Sequence, residues 1–199
     1  ISSSISGGPL GGNEDFHKHV LNLEWYTPTV WKFVLMSSVK IGGIKTLKSN
    51  DGERSMVPFN ERFIMGGSGM VYGNPLRGYE DNSLNSSAGD AIIAKYTLEL
   101  RYPISLNPSA TFYGLIFAEA GNTFPTFEEF NPFNVKRSLG VGIRVFLPMF
   151  GMLGLDYGFG FDKLDYWSTG YQGASDQSIQ SKGYYPKLNF TIGMNLGEL

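Results

Sequence analysis

The chain has 199 residues, with 16 Lys+Arg against 18 Asp+Glu and a formal net charge of -2, which gives no electrostatic case for a nucleic-acid partner. Charged residues make up 17% and Gly reaches 26 residues, against about 25% charge and about 7% Gly in an ordinary soluble domain. No apolar run approaches the roughly 18 residues of a membrane-spanning helix, and the absence of cysteine excludes a disulfide scaffold, a thiolate metal site and a Cys nucleophile.

In chain order, residues 1–6 read as the stub of a strand, and no leader precedes Ile1, which predicts a mature or trimmed segment. Residues 18–26 then alternate with period two: Leu21, Leu23 and Trp25 lie opposite Lys18, Asn22 and Glu24. In 31–41, Trp31, Phe33, Leu35, Val39 and Ile41 oppose Lys32, Val34, Met36, Ser38 and Lys40. After a connection over 43–90, residues 92–102 set Ile92, Ala94, Tyr96, Leu98, Leu100 and Tyr102 against Lys95, Thr97, Glu99 and Arg101. Residues 110–120 form a less regular strand. Leu139, Val141, Ile143 and Val145 then face away from Ser138, Gly140, Gly142 and Arg144, and 152–162 and 185–196 repeat the design. Side chains two apart share a face of a strand, so these are about eight antiparallel strands with one large-apolar face and one Gly/Asn/Lys/Asp face.

The connections alternate as well. Thr27 to Thr29, Pro103 to Pro108 and Pro148 to Gly151 are short and contain proline, whereas 6–15, 43–90, 122–135 and 163–183 are long. A soluble sandwich or a lipocalin-like barrel also has alternating strands. Long strands, opposed faces and strict short/long alternation together form the pattern of an outer-membrane barrel. Lipid leaves backbone amides no partner except the neighbouring strand and excludes charge from the outward face, which accounts for the low charge. Trp25, Tyr26, Trp31, Tyr102 and Tyr157 stand near strand ends, as girdle residues or as plain packing. Inner-face glycine makes room in a lumen.

The long connection contains Glu61-Arg62-Phe63-Ile64-Met65-Gly66-Gly67-Ser68-Gly69 and then Leu76-Arg77-Gly78-Tyr79. Neither stretch matches a phosphate-binding GxGxxG or P-loop. Met70 breaks any GxSxG elbow, and His17 and His19 share one strand near its loop end, so the segment has no catalytic site and is not an enzyme. No His/Asp/Glu cluster has metal-ligand spacing, no cofactor is expected, and Asp81 and Asp90 read as solvated.

These loop residues resemble the (V/L)-R-G-(F/Y) loop of the BamA-type outer-membrane assembly factors, the bacterial surface antigen family. Tyr96 to Pro103 is similar to the family's post-loop strand, Phe117 to Asn122 to its acidic-Gly strand, and Ser138 to Pro148 with Phe190 to Gly193 to its last strands. The resemblance implies an all-β fold, a transmembrane antiparallel β-barrel of sixteen strands behind periplasmic POTRA domains. Residues 1–199 would be the C-terminal part of one such barrel domain, supplying about eight strands, with 43–90 as an extracellular loop entering the lumen and the POTRA domains absent. An independent argument agrees: an eight-stranded barrel is filled by its own side chains and has no space for so long a loop.

The resemblance also implies site residues. Gly66, Gly67, Leu76, Arg77, Gly78 and Tyr79 form the lumen-loop motif, and the family's motif Arg meets acidic residues on the inner wall. Glu119, Glu99 or both are the expected partners of Arg77, since a confined guanidinium needs a carboxylate at bidentate range; Phe117 is placed to stack on it. The closing strand would carry Phe190 and, at Gly193, either the family's kink glycine or an ordinary luminal glycine. By the same resemblance the protein resides in the bacterial outer membrane and folds and inserts client proteins through a weak seam between first and last strands. Its partners would be outer-membrane lipids and lipopolysaccharide, unfolded outer-membrane protein clients, and assembly lipoproteins reached through the POTRA domains. A translocation-and-assembly-module protein, a polypeptide secretion transporter and the barrel anchor of a patatin-like phospholipase are the alternatives that the upstream sequence separates, and a simple pore is a further one, which single-channel conductance unchanged by deletion of residues 61–90 would favour.

Overall fold

A computed structural model describes residues 1–7, 15–47, 57–68, 73–86, 88–107, 110–148, 151–162 and 186–193. Eight strands form a single antiparallel sheet in sequential order: β1 (Ser2–Ser6), β2 (Phe16–Pro28), β3 (Val34–Thr46), β4 (Ile92–Asn107), β5 (Ala110–Phe124), β6 (Lys136–Leu147), β7 (Gly151–Gly160) and β8 (Pro186–Gly193). Among the described residues β1 and β8 are its two edges. The connection expected at 163–183 and the parts of the closing strand 185–196 expected before Pro186 and beyond Gly193 lie outside the described residues.

The sheet is inverted relative to a soluble one. Ile116 is 54% exposed while Glu119, three residues along the same strand, is only 4% exposed. Leu98, Leu139, Val141, Ile143, Leu155, Leu188 and Phe190 share the exposed outer face, whereas Thr97, Glu99, Ser138, Asp156 and Asn189 are buried on the inner one. Apolar outside and polar inside is the arrangement of a barrel wall with lipid as its outer solvent.

Two turns differ from the sequence expectation. Trp31 belongs to the β2–β3 turn, with a φ of 61 degrees, so β3 begins only at Val34. Strand β4 continues through Pro103 to Asn107, with a register shift between Pro103 and Ser105. A bulge accommodates a proline because the ladder there needs no donor from it. Tyr26 is not a girdle residue. It pairs with Met36 on the inner face, its hydroxyl donates to Glu24, and Arg101 lies over its ring at 5.6 Å.

The connection between β3 and β4 turns inward. Phe63, Met65, Leu76, Tyr79 and Leu84 pack on Phe16, Ile44 and Ile93 of the wall. Short ladders hold the loop in shape: Phe63 pairs with Asp90, Met65 with Asn74 and Gly67 with Leu76. The apolar cluster fills the long-loop end of the inner face and leaves the polar wall of β4–β7 to the motif that follows Leu76.

Candidate functional site: a loop clamped to the inner wall

Arg77 lies at the centre of a buried charge network. Its Nη2 is 2.6 Å from Glu99 Oε1 and 2.9 Å from Glu119 Oε1, and its Nη1 is 3.5 Å from Asp156 Oδ1. The backbone N–H of Arg77 donates to Glu119 Oε2 at 2.8 Å. The guanidinium carbon stands 3.6 Å from the centroid of the Phe117 ring, a separation at which cation and ring face attract. Strand parity brings these partners together: Glu99 is registered opposite Phe117, and Glu119 two steps further along β5 opposite Thr97.

Each carboxylate has a second cation. Lys95 reaches Glu119 at 3.3 Å, Arg101 holds Glu99 through Nε at 2.8 Å and Nη2 at 2.7 Å, and Arg144 grips Asp156 bidentately at 2.8 and 2.8 Å. Four cations thus surround three carboxylates. Desolvating one ion in a protein interior costs several kcal/mol, so the network persists only because each charge has a counter-charge and a donor or acceptor in place. Asp156 was not singled out by the sequence. A lone acid among the inner-face glycines Gly154, Gly158 and Gly160 was the available signal.

Glycine lets the loop backbone touch the wall. Gly78 has a φ of 91 degrees, and a Cβ there would fall 2.7 Å from the Phe159 carbonyl carbon and 2.8 Å from the Gly160 nitrogen. The wall reciprocates: a Cβ on Gly158 would meet the Gly78 nitrogen at 2.9 Å, and one on Gly160 would meet the Tyr79 ring at 2.7 Å. Two polypeptide backbones therefore lie in direct contact, which side chains at these positions would prevent.

Tyr79 pins the far side of the motif. Its hydroxyl donates to the Arg137 carbonyl at 2.8 Å and accepts from the Asp162 N–H at 3.1 Å, joining β6 to the end of β7. Burial pushes this phenol up to about 12. Asp162, beyond β7, is held below the ordinary carboxylate range by hydrogen bonds from Arg137.

The remaining motif residues serve the loop's own shape. Leu76 is fully buried in the apolar cluster, and Gly66 donates its N–H to the Asn74 carbonyl at 3.0 Å. Gly67, at a φ of 65 degrees, passes so close to Asp81 that no side chain fits. Asp81 is exposed and accepts the Ser68 N–H. Asp90 is not solvated: it is 2% exposed and accepts from the Thr123 hydroxyl at 2.5 Å, because the loop returns through it onto the wall. Phe190 points outward in β8 opposite Leu155, and Gly193 pairs with Met152 at the opposite end of that strand from Pro186. Neither is near Arg77's partners on β4 and β5. Lys187 of β8 does reach the loop, with its ammonium 2.5 Å from Glu80. Among the described residues no group of three or more His, Asp or Glu side chains is placed to hold a metal ion.

The Omp85 superfamily domain model matches residues 1–195. The chain is 29% identical over 167 residues, 81% of its length, to the outer membrane protein assembly factor BamA of Nitratidesulfovibrio vulgaris, and spans 20% of that protein. It is also similar in fold to the crystal structure of BamA from Haemophilus ducreyi lacking POTRA domains 1–3, with a TM-score of 0.62 and 17% identity. That likeness covers 92% of this chain and 35% of the other.

Proposed function

The chain belongs to the Omp85 superfamily, and from that membership we propose that it forms the C-terminal half of a sixteen-stranded BamA-type barrel that folds client β-barrel proteins into the membrane. It resides in the bacterial outer membrane and is not an enzyme. The observation that carries the proposal is the clamped loop: Arg77 joins β4, β5 and β7 through Glu99, Glu119 and Asp156. Such a brace keeps the wall of a wide barrel rigid while one seam opens.

The seam is the free edge of β8. In the whole barrel this strand meets the first strand, and its pairing there is weak enough to separate and offer a client strand a hydrogen-bonding template. The Lys187–Glu80 pair adds little, since both side chains are substantially exposed and such pairs contribute about 0–1 kcal/mol. Phe190 faces lipid at this edge, and Gly193 withholds a side chain from it. Clients would arrive unfolded from the periplasm, delivered by POTRA domains and accessory lipoproteins, and would leave into outer-membrane lipid and lipopolysaccharide.

The test uses the full-length protein in proteoliposomes, with a cysteine at Lys187 or Asn189 and another on the first barrel strand. Oxidation is expected to stop insertion of a client barrel, scored by its protease protection, and reduction to restore it. Undiminished insertion by the tethered protein would exclude the seam.

A further inference from the structure

The connection between β5 and β6 is rich in phenylalanine, reading Phe124-Pro125-Thr126-Phe127-Glu128-Glu129-Phe130-Asn131-Pro132-Phe133. It does not stand up from the barrel rim. It folds back over the outer face and packs there on outward-facing positions. Phe124 and Phe130 meet edge to face at 5.4 Å and pack with Ile92 and Ala94, the Tyr96 hydroxyl donates to the Pro132 carbonyl, and Asn122 donates to the Asn134 carbonyl. A Cβ on Gly43 of β3 would touch the Phe127 ring at 3.2 Å, and Lys45 Nζ lies 5.7 Å from its centroid. The segment therefore crosses the flank of β3, β4 and β5.

Phe133 is 89% exposed and Phe127 48% exposed on this fixed scaffold. Directly along the same outer face begin Leu98 and Ile116, which belong to the apolar belt. The height agrees with a membrane boundary. From Tyr96, under the loop, to the exposed Leu106 near the short turn, β4 takes nine ladder steps, the bulge after Pro103 absorbing one residue, about 31 Å of strand. At a tilt of about 40 degrees that stands about 23 Å tall, close to the roughly 25 Å of an outer-membrane apolar band. The Pro132 end of the loop lies beside Tyr96, where that band ends, while Gly43 under the Phe127 ring is registered opposite Ile92, four residues higher, which puts Phe127 and the neighbouring Lys45 ammonium about 10 Å above the band, at a height where basic side chains and aromatic rings are commonly found together.

We infer that residues 124–134 form a foot on the barrel flank that inserts Phe133 into the outer leaflet at the boundary of its acyl region, with the Phe127 ring higher, among the headgroups. The occupant of this surface is lipid. Glu128 and Glu129 remain in water, and Lys45 meets lipid phosphate.

Single cysteines at Phe133, Glu129 and Leu98 can each carry a nitroxide label in the full-length protein, reconstituted in phosphatidylcholine/phosphatidylglycerol vesicles. Collision with oxygen, which concentrates in lipid, is then compared with collision with a water-soluble nickel chelate. The Phe133 label is expected to follow Leu98, with oxygen dominant, while the Glu129 label is nickel-dominant. Nickel dominance at Phe133 with oxygen dominance at Leu98 overturns the foot and leaves the barrel intact. Protection of Phe133 from both reagents overturns it in favour of a protein contact. Nickel dominance at both Phe133 and Leu98 overturns the foot together with the membrane reading. Because Phe133 is almost fully exposed, its replacement does not disturb folding, and heat-modifiable mobility of each labelled protein verifies this.

Discussion

Glu119 holds Arg77 twice, accepting from the guanidinium at 2.9 Å with one carboxylate oxygen and from the Arg77 backbone N–H at 2.8 Å with the other. The main-chain bond fixes where the loop lies, and the side-chain bond fixes which residue it presents. Removing one member of a buried pair typically costs about 3–5 kcal/mol, because the survivor stays charged and desolvated. Arg77→Glu is expected to lower the unfolding temperature and release the loop to protease, and Glu119→Arg to do likewise. Combining the two should recover part of the loss, because Glu99 and Asp156 remain to hold an arginine on either side. If the double variant is no better than the worse single one, pairing of these two residues does not hold the loop.

Gly78 predicts a backbone effect separable from charge. Alanine at this position must adopt a left-handed φ and also displace the Phe159–Gly160 backbone, each a strain of order 1–3 kcal/mol. Gly78→Ala should therefore undock the loop while every ionic partner is still present. Gly114→Ala is the control, since its nearest neighbour would be Ile104 Cδ1 at an ordinary 3.7 Å. Thermal unfolding and limited proteolysis of both variants should show a large change in the first and almost none in the second.

Period-two alternation is sufficient to place Glu99, Phe117 and Glu119 on one wall, because strand geometry leaves only two faces. It cannot say which loop residue descends to them, and there the resemblance to a known loop motif supplied Arg77. The same alternation assigns Tyr26 to the inner face with Asn22 and Glu24, so the girdle expectation for it rested on residue type against parity. Asp90 is harder to foresee. Its burial depends on Phe63 pairing with it from across the loop, a long-range contact that no local pattern announces. The aromatic loop over 124–134 is similar: its composition is visible, but its direction of folding is set by Ile92, Ala94 and Tyr96 of another strand.

Tyr79 predicts a pH dependence at the alkaline end. Its folded-state pKa, raised by burial to about 12, lies above the unfolded value of about 10, so the folded chain binds the phenolic proton more tightly. Stability from this group is then fully present below pH 10 and is lost as pH rises from there through about 12, a loss of roughly 2–3 kcal/mol. Ionisation would also remove the donor that the Arg137 carbonyl accepts. Unfolding temperature against pH should fall more steeply over this window in the parent than in Tyr79→Phe. Parallel curves would show that the phenol does not ionise within the docked loop.

Asp156 and Arg144 offer a test of whether the network acts as a unit. Arg144 grips Asp156 through two bonds on adjacent strands, and Arg77 approaches the same carboxylate from the loop. Asp156→Asn leaves four cations facing two carboxylates, so its damage should extend beyond the β6–β7 contact to the docking of the loop. Arg144→Gln removes the excess charge but strands Asp156, which then relies on the longer 3.5 Å contact with Arg77. The two changes together should cost less than their sum, with a coupling of about 0.5–3 kcal/mol, because the neutral pair can hydrogen-bond and Arg77 retains Glu99 and Glu119. Denaturant unfolding of the four proteins measures the coupling, and protease accessibility of the Arg77 loop shows whether it travels. Additive losses with an unchanged loop would mean that the Arg144–Asp156 pair is a local fastening of the wall, independent of the clamp.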